Sequence, residues 1–157
     1  MILLNFDTQI KGTSSVDGHD KWITIDSLQM GVGRAISMTG NGNDRDTSNP
    51  SFSEISMTKA TDIASADLFM QAVAGKSLGV ATIHFIQTAS AKVQVFLTIE
   101  LTGAIISSYS MGSSGERPNE TFSIHFTKIS YKYDSFNGDT VTTGTPKKWN
   151  VAGNELG

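Results

Sequence analysis

Three histidines, an abundance of serine and two tryptophans are the residues of this chain with the types to do chemistry. His19 falls in a polar loop, while His84 and His125 take the polar phases of two separate strand-like segments, where they could meet across a sheet and bind a metal. No second ligand stands at metal-motif spacing from either, so they read as structural, sheet-surface histidines. Acyl transfer needs a nucleophile held by a base beside an oxyanion site, and none of the serines lies in a Gly-x-Ser-x-Gly elbow. Asn41, Asn43, Asp44 and Asp46 suggest a calcium loop, but the closing bidentate acid is missing, with Phe52 in its place. Gly31-Val32-Gly33 lacks the third glycine and the following helix of a dinucleotide loop, and reads as a strand end approached by a neighbouring backbone. Trp22 and Trp149 could stack sugars, yet each adjoins an apolar or turn segment, which favours burial in a core or an interface. Asn119-Glu120-Thr121 fits a glycosylation acceptor by pattern alone. No catalytic, cofactor-binding or metal-binding residue is assigned, no cofactor is implied, and the residues point to binding or assembly.

The elements that would position these residues are almost all strands. Ile2, Leu4 and Phe6 alternate and predict a first strand, ended by the polar loop Gly12–Asp20. In Trp22–Val32, Ile23 and Ile25 share one phase while Leu28, Met30 and Val32 take the other, which predicts a bulge or bend near Asp26-Ser27. Thr39–Pro50 is rich in Gly, Asn, Asp and Thr and reads as the longest loop; Phe52–Thr58 alternates again. Val80–Gln87 and Lys92–Leu101 predict a hairpin joined through Thr88–Ala91, with Val93, Val95, Leu97, Ile99 and Leu101 in strict alternation toward a core. Ile105–Met111 is expected to continue or pair with that sheet. Phe122, Ile124 and Phe126 alternate until the phase flips to Ile129, Tyr131 and Tyr133, and Asn137-Gly138 is a strong turn signal. Two phase flips imply strands that bend from one sheet to another.

One helix signal interrupts the strands, at about residues 65–75. Asp62 and Ser65 can cap it, Asp67 sits in the first turn, Gly75 can close it, and Leu68, Phe69, Ala72 and Val73 form its apolar stripe. The expected fold is all-β, a small closed β-barrel or two-sheet sandwich with one flanking α-helix, in a single domain over residues 1–157.

Composition agrees with that reading. The chain of 157 residues is 38% hydrophobic and 17% charged, and Ser, Thr and Gly make up the difference, as polar strand faces and turns require. Zero cysteines exclude disulfides and thiol chemistry. A net charge of −3 with only Lys147-Lys148 locally basic argues against nucleic acid. The N-terminus lacks the basic flank and apolar length of a signal peptide, and no run is long enough for membrane insertion.

The order of these segments resembles the Hcp family, the haemolysin-coregulated proteins of type VI secretion systems, over nearly the whole chain. The resemblance lies in Lys11-Gly12-Thr13-Ser14 and Asp17–Ile23, in Leu28–Val32, in the helix entry Thr58-Lys59…Asp62…Ser65…Leu68-Phe69-Met70 with its Gly75-Lys76 exit, in Ser113–Phe126, and in the closing Lys148-Trp149-Asn150. Thr13 stands where many members carry glutamate, Lys148 replaces a glycine, and the long loop is Asn/Asp-rich rather than Gly-rich. The resemblance implies a β-barrel subunit with a flanking helix that forms a homohexamer. Its rings stack into a tube held by sheath and spike proteins and carry effector proteins in the lumen. The protein is then cytoplasmic before firing and extracellular afterwards. On that basis Ser27, Gln29 and Gly31 are expected to face the lumen, and Thr39, Asn41, Asn43, Asp44, Arg45 and Asp46 to form a ring or stacking loop. Asp67, Met70 and Gln71 are expected to present the helix to a neighbour. A phage-derived tail-tube subunit shares this mechanical class, and a carbohydrate-binding β-domain using Trp22 or Trp149 is the alternative from another class.

Overall fold

The computed structural model describes residues 1–39, 44–47 and 49–157. In chain order the strands are β1 (Ile2–Phe6), β2 (Ile23–Ile25), β3 (Ser27–Gln29), β4 (Val32–Gly33), β5 (Ile36–Thr39), β6 (Asp44–Thr47), β7 (Ser51–Phe52) and β8 (Ile55–Ala60). After the helix α1 (Ser65–Ala74) come β9 (Ala81–Ala89), β10 (Lys92–Thr102), β11 (Ile105–Gly112), β12 (Asn119–His125) and β13 (Lys128–Tyr133). The chain ends with β14 (Ser135–Asn137), β15 (Thr140–Thr142), β16 (Lys147–Asn150) and β17 (Glu155–Leu156). A seven-stranded sheet runs β17-β16-β13-β10-β9-β1-β2, and a four-stranded sheet runs β11-β12-β8-β3. Of the two architectures expected, the two-sheet sandwich is the closer description, because the main ladders form two separate sheets rather than one continuous cylinder, with β4-β7, β5-β6 and β14-β15 as two-stranded pairs beside them.

Both phase flips mark the places where the chain changes sheet. Ile23 and Ile25 are buried in β2, which pairs with β1; one residue later β3 pairs with β8 in the other sheet, and Asp26 N–H donates to the Thr58 carbonyl at 2.9 Å. Likewise β12 belongs to the small sheet and β13 to the large one, with Thr127 N–H donating to the Thr102 carbonyl at the crossing. Phe122, Ile124, Met57, Ile55, Ile83, Ile99 and Leu101 are buried together between the sheets.

Several sequence expectations need correction. β11 does not join the β9–β10 sheet: the chain turns at Gly103, Ala104 pairs with the Leu78–Gly79 segment, and β11 pairs with β12. The β9–β10 turn is the two residues Ser90-Ala91, both left-handed at φ 50° and 60°, which suits the twist of a tight hairpin although neither is glycine. The strict alternation of β10 breaks at Phe96, where the ladder shifts between Val95 and Leu97. Ile99 and Leu101 therefore reach the core, Val93 and Val95 do not, and Gln94 is buried instead, donating to the Gly138 carbonyl. Thr39–Pro50 is also not simply a loop, since β5 pairs antiparallel with β6 and β4 with β7 on either side of it in the chain.

The helix stands where expected and stops at Gly75, left-handed at φ 65°, whose N–H donates to the Gln71 carbonyl. Its inward face is narrower than the predicted stripe. Ala64, Ser65 and Leu68 are buried and Ala72 packs against the core, while Phe69 and Val73, one position on and so about 100° round the helix, point outward. Asp62 and Ser65 act one turn early: Ala64 is the N-cap, Asp62 accepts its N–H, and the Ser65 hydroxyl accepts the N–H of Asp62.

Under the helix entry lies a buried ionic cluster. Lys59 on β8 and Glu120 on β12 are direct cross-strand partners on the inward face, and both are fully buried. The Lys59 ammonium donates to Glu120, to Asp62 Oδ1 at 2.8 Å and to the Ala60 carbonyl at 2.9 Å. The Ser65 hydroxyl and Tyr109 of β11 also donate to the Glu120 carboxylate. Burial by itself would raise the Glu120 pKa, but the hydrogen bonds from Lys59, Tyr109 and Ser65 outweigh it and hold the group below its usual value. Burial and the Glu120 hydrogen bond together push the Tyr109 phenol up to about 12. Because Glu120 titrates lower when folded, its contribution is present above the ordinary carboxylate pKa and is lost as pH falls through the folded value. Glu120→Gln strips Lys59 of its main partner and should cost about 3–5 kcal/mol in urea unfolding at neutral pH. Replacing Lys59 and Glu120 together by apolar residues should cost less than that single change.

Candidate functional site

The outer face of the four-stranded sheet is built from the alternate positions to its core. Cross-strand register places Gln29, Ser56, Ser123 and Ser108 in one row, and Ser27, Thr58, Thr121 and Ser110 in the next. The intervening positions Leu28, Met57, Phe122 and Tyr109 point the other way, toward the core. Seven hydroxyls and one amide thus tile a surface with no charged side chain in either row. The two inner strands are half-buried along these rows and the edge strands exposed. The Ser27 and Thr58 hydroxyls bond each other across β3 and β8. The bulge at Ser107 bounds the face, with its hydroxyl donating to Glu54 Oε2 at 2.6 Å.

Ser27 and Gln29 therefore lie on this face at its β3 edge. Gly31 lies just beyond, exposed, its carbonyl accepting the N–H and the hydroxyl of Ser53. Of the loop residues, Thr39, Asp44, Arg45 and Asp46 belong to the β5–β6 ladder, with Thr39 opposite Asp44, Met38 opposite Arg45 and Ser37 opposite Asp46; Asn41 and Asn43 lie outside the described residues. On α1, Asp67 and Met70 are exposed and Gln71 is half-buried. The hydroxyl rows were hidden in the sequence because their members come from four separate strands. The signal was the polar phase of each strand, Ser56/Thr58, Ser108/Ser110 and Thr121/Ser123, which carries serine or threonine almost without exception.

His84 and His125 do not meet across a sheet. His125 is exposed at the end of β12 in the small sheet, and His84 lies on β9 in the large one. The partner of His84 is His19, which is buried: His19 Nε2 lies 2.8 Å from His84 Nδ1, and His19 Nδ1 lies 3.0 Å from the Asp17 carbonyl. A carbonyl only accepts, so Nδ1 of His19 carries a hydrogen; in the neutral ring Nε2 then accepts from His84 Nδ1–H. Trp22 packs on both imidazoles, with centroids 4.7 and 4.8 Å away. The strap from Lys11 to Trp22 folds on itself through the pairs Gly12–Lys21, Ser14–Trp22 and Lys21–Ser14. Gly12 lies so close to Trp22 that a Cβ would stand 2.3 Å from the Trp22 carbonyl oxygen, so no larger residue fits. Trp149, half-buried, packs against the core, and its Nε1 has no hydrogen-bond partner among the described residues. Among the described residues no three His, Cys, Asp or Glu side chains converge to hold a metal.

Such a molecule is a β-sandwich building block with open sheet edges and a broad uncharged face. The model of the family described as "Type VI secretion system effector, Hcp" matches residues 3–133, and the chain belongs to that family. Among solved structures it is similar to a type six secretion system protein at 24% identity and a TM-score of 0.88, with 99% of this chain and 98% of that one covered. It is also similar to Hcp1 from Salmonella typhimurium (20% identity, TM-score 0.76, coverage 99% and 97%). A type VI secretion system effector from Yersinia pestis aligns at 22% identity and a TM-score of 0.70, with coverage of 96% and 100%. These likenesses establish the fold. Among curated proteins no sequence matches the chain. No helix among the described residues is long and apolar enough to cross a membrane.

The His19–His84 pair makes the fold acid-sensitive. Burial first, then the proximity of His19 and Lys132, lowers the His84 pKa to about 4. The unfolded chain takes up this proton near pH 6.5 and the folded chain only near 4, so stability is complete above 6.5 and declines as pH falls toward 4. Thermal unfolding across that window should show a falling Tm, and His84→Leu should flatten the slope. An unchanged slope in the variant would remove His84 as the cause.

Proposed function

We propose that this chain is a structural subunit of the type VI secretion inner tube, forming hexameric rings that stack into an expelled tube with an uncharged lumen. The observation that carries the reading is the hydroxyl face of the four-stranded sheet. Serine and threonine hydroxyls both donate and accept, so such a wall stays wetted and exchanges hydrogen bonds readily with a passing protein. Without charges it presents no strong field to hold cargo of either sign. Ser27, Gln29 and Gly31 stand at the β3 edge of this face, and we assign them to the lumen.

Other surfaces take the remaining roles. The β5–β6 arm, including Thr39, Asp44, Arg45 and Asp46 and the sequence through Asn41 and Asn43, docks onto the adjacent subunit or ring. A long polar excursion in a compact fold is usually functional. The helix, through Asp67, Met70 and Gln71, faces a neighbour. Sheath proteins surround the tube, the spike tips it and effectors ride within it. The chain is made in the cytoplasm and leaves the cell when the machine fires, acting as a mechanical part rather than a catalyst.

Electron microscopy of the purified chain should show ring-shaped particles and short stacks. Deleting the tip of the β5–β6 arm should leave the sandwich folded but shift it to smaller species. A wild-type chain that stays monomeric at every concentration would overturn the reading. Gln29→Asp should leave rings intact and alter retention of co-expressed effector; unchanged retention would remove Gln29 from the lumen.

A further inference from the structure

Two exposed apolar surfaces lie on opposite flanks of the molecule. On one flank, Ile63 and the outward face of α1, formed by Phe69, Met70 and Val73, are 61%, 53%, 57% and 67% exposed. Phe69 touches the rest of the fold edge-on, at Tyr109 of β11. On the other flank a groove of about 390 Å³ opens between the segments that follow and precede the small sheet and the far end of the large one. Met30, Phe52, Tyr131, Trp149 and Leu156 line it, with Arg34, Lys147 and Lys148 at its side. Its walls come from β13, β16 and β17, at one end of the seven-stranded sheet, and from the segments next to β3 and β8 of the small sheet.

Their placement in the topology relates the two surfaces. The helix packs along β11, at one edge of the small sheet, and Met30 follows directly from β3, at its other edge. A ring built from identical copies uses one heterologous contact repeated until it closes, so its two halves must lie on opposite flanks of each subunit. Charge fits as well. Asp67 is the single charged residue of α1, and the groove carries three cations, all exposed and in no salt bridge among the described residues.

We propose that the Phe69–Met70–Val73 face of α1 seats in the Trp149 groove of a second copy of this chain, with Asp67 beside Arg34, Lys147 or Lys148 of that copy. This rests on the ring reading and names the surfaces that make the ring. The contact brings the β11 edge of one small sheet toward the β3 edge of the next, so their hydroxyl faces continue from copy to copy. It also covers the aliphatic and aromatic surface that a lone molecule leaves in water.

The chain contains no cysteine, so a crosslinking test has no background. The full chain carrying both Val73→Cys and Tyr131→Cys, assembled and treated with a short bismaleimide, should give a ladder of covalent multimers. Either single variant should give none. Met70→Asp should raise the concentration for half-assembly by about tenfold or more, as loss of an interface anchor does, with an unchanged circular-dichroism spectrum. Rings in the microscope with no ladder from the double variant, or with unchanged assembly of Met70→Asp, would overturn this interface and leave the tube reading standing. Absence of rings from the wild-type chain would overturn both.

Discussion

A lysine and a glutamate placed opposite each other on the dry face of a sheet hold together parts of the fold that apolar packing alone would not align. Lys59 and Glu120 are register partners, so their pairing fixes how β8 meets β12; a slip of β8 by one residue would turn Lys59 and Met57 outward and leave the Glu120 carboxylate buried without its partner. The same carboxylate receives Tyr109 from β11 and Ser65 from the helix, and the same ammonium reaches Asp62 in the helix entry. Three strands and the start of α1 thus converge on one ion pair. A buried pair is a weak source of net stability because desolvation offsets most of the attraction. Its role here is specificity, since few other arrangements satisfy both charges.

That constraint reaches the functional surfaces. With β8, β11 and β12 locked in register, their outward positions fall into the two hydroxyl rows, and the helix is held with Leu68 inward and Phe69, Met70 and Val73 outward. On the other side of the small sheet, Met30 and Phe52 meet Tyr131 and Trp149 of the large sheet around the open groove. The strap over the large sheet is organised differently. Its backbone bonds are largely internal, and among the described residues its side-chain hydrogen bond to the sheet is the one from His84 to His19. That fastening depends on His84, whose pKa burial lowers to about 4, whereas hydrogen bonds hold the Glu120 carboxyl below its usual value.

Much of this was legible in the chain. The phase flips at Asp26-Ser27 and after Phe126 announced the two strand crossings, and the Gly75 stop located the helix end. Lys59 and Glu120 were also readable in principle, because each occupies an apolar phase, after Ile55 and Met57 in one strand and before Phe122 and Ile124 in the other. Two opposite charges on inward phases ask for each other, but only if the strands are known to be neighbours. The His19–His84 contact left no such trace: it joins a loop to a strand across 65 residues, and nothing in local pattern sets where a loop lies. The β10 bulge escaped for the opposite reason, as five alternating apolar residues continue smoothly through it.

By itself the sequence determined what local backbone physics and period-2 patterning can carry: strands, their facing, the bends between sheets and one capped helix. It also carried the order of segments that marks the Hcp family. Only the tertiary structure decided which strands became neighbours. That choice assembled scattered serines and threonines into one uncharged face, split the helix stripe into buried and exposed halves and opened the groove beside Trp149. The physical reason is that strand pairing and sheet width are set by long-range closure of the whole core, a sum over contacts that no short window of residues contains.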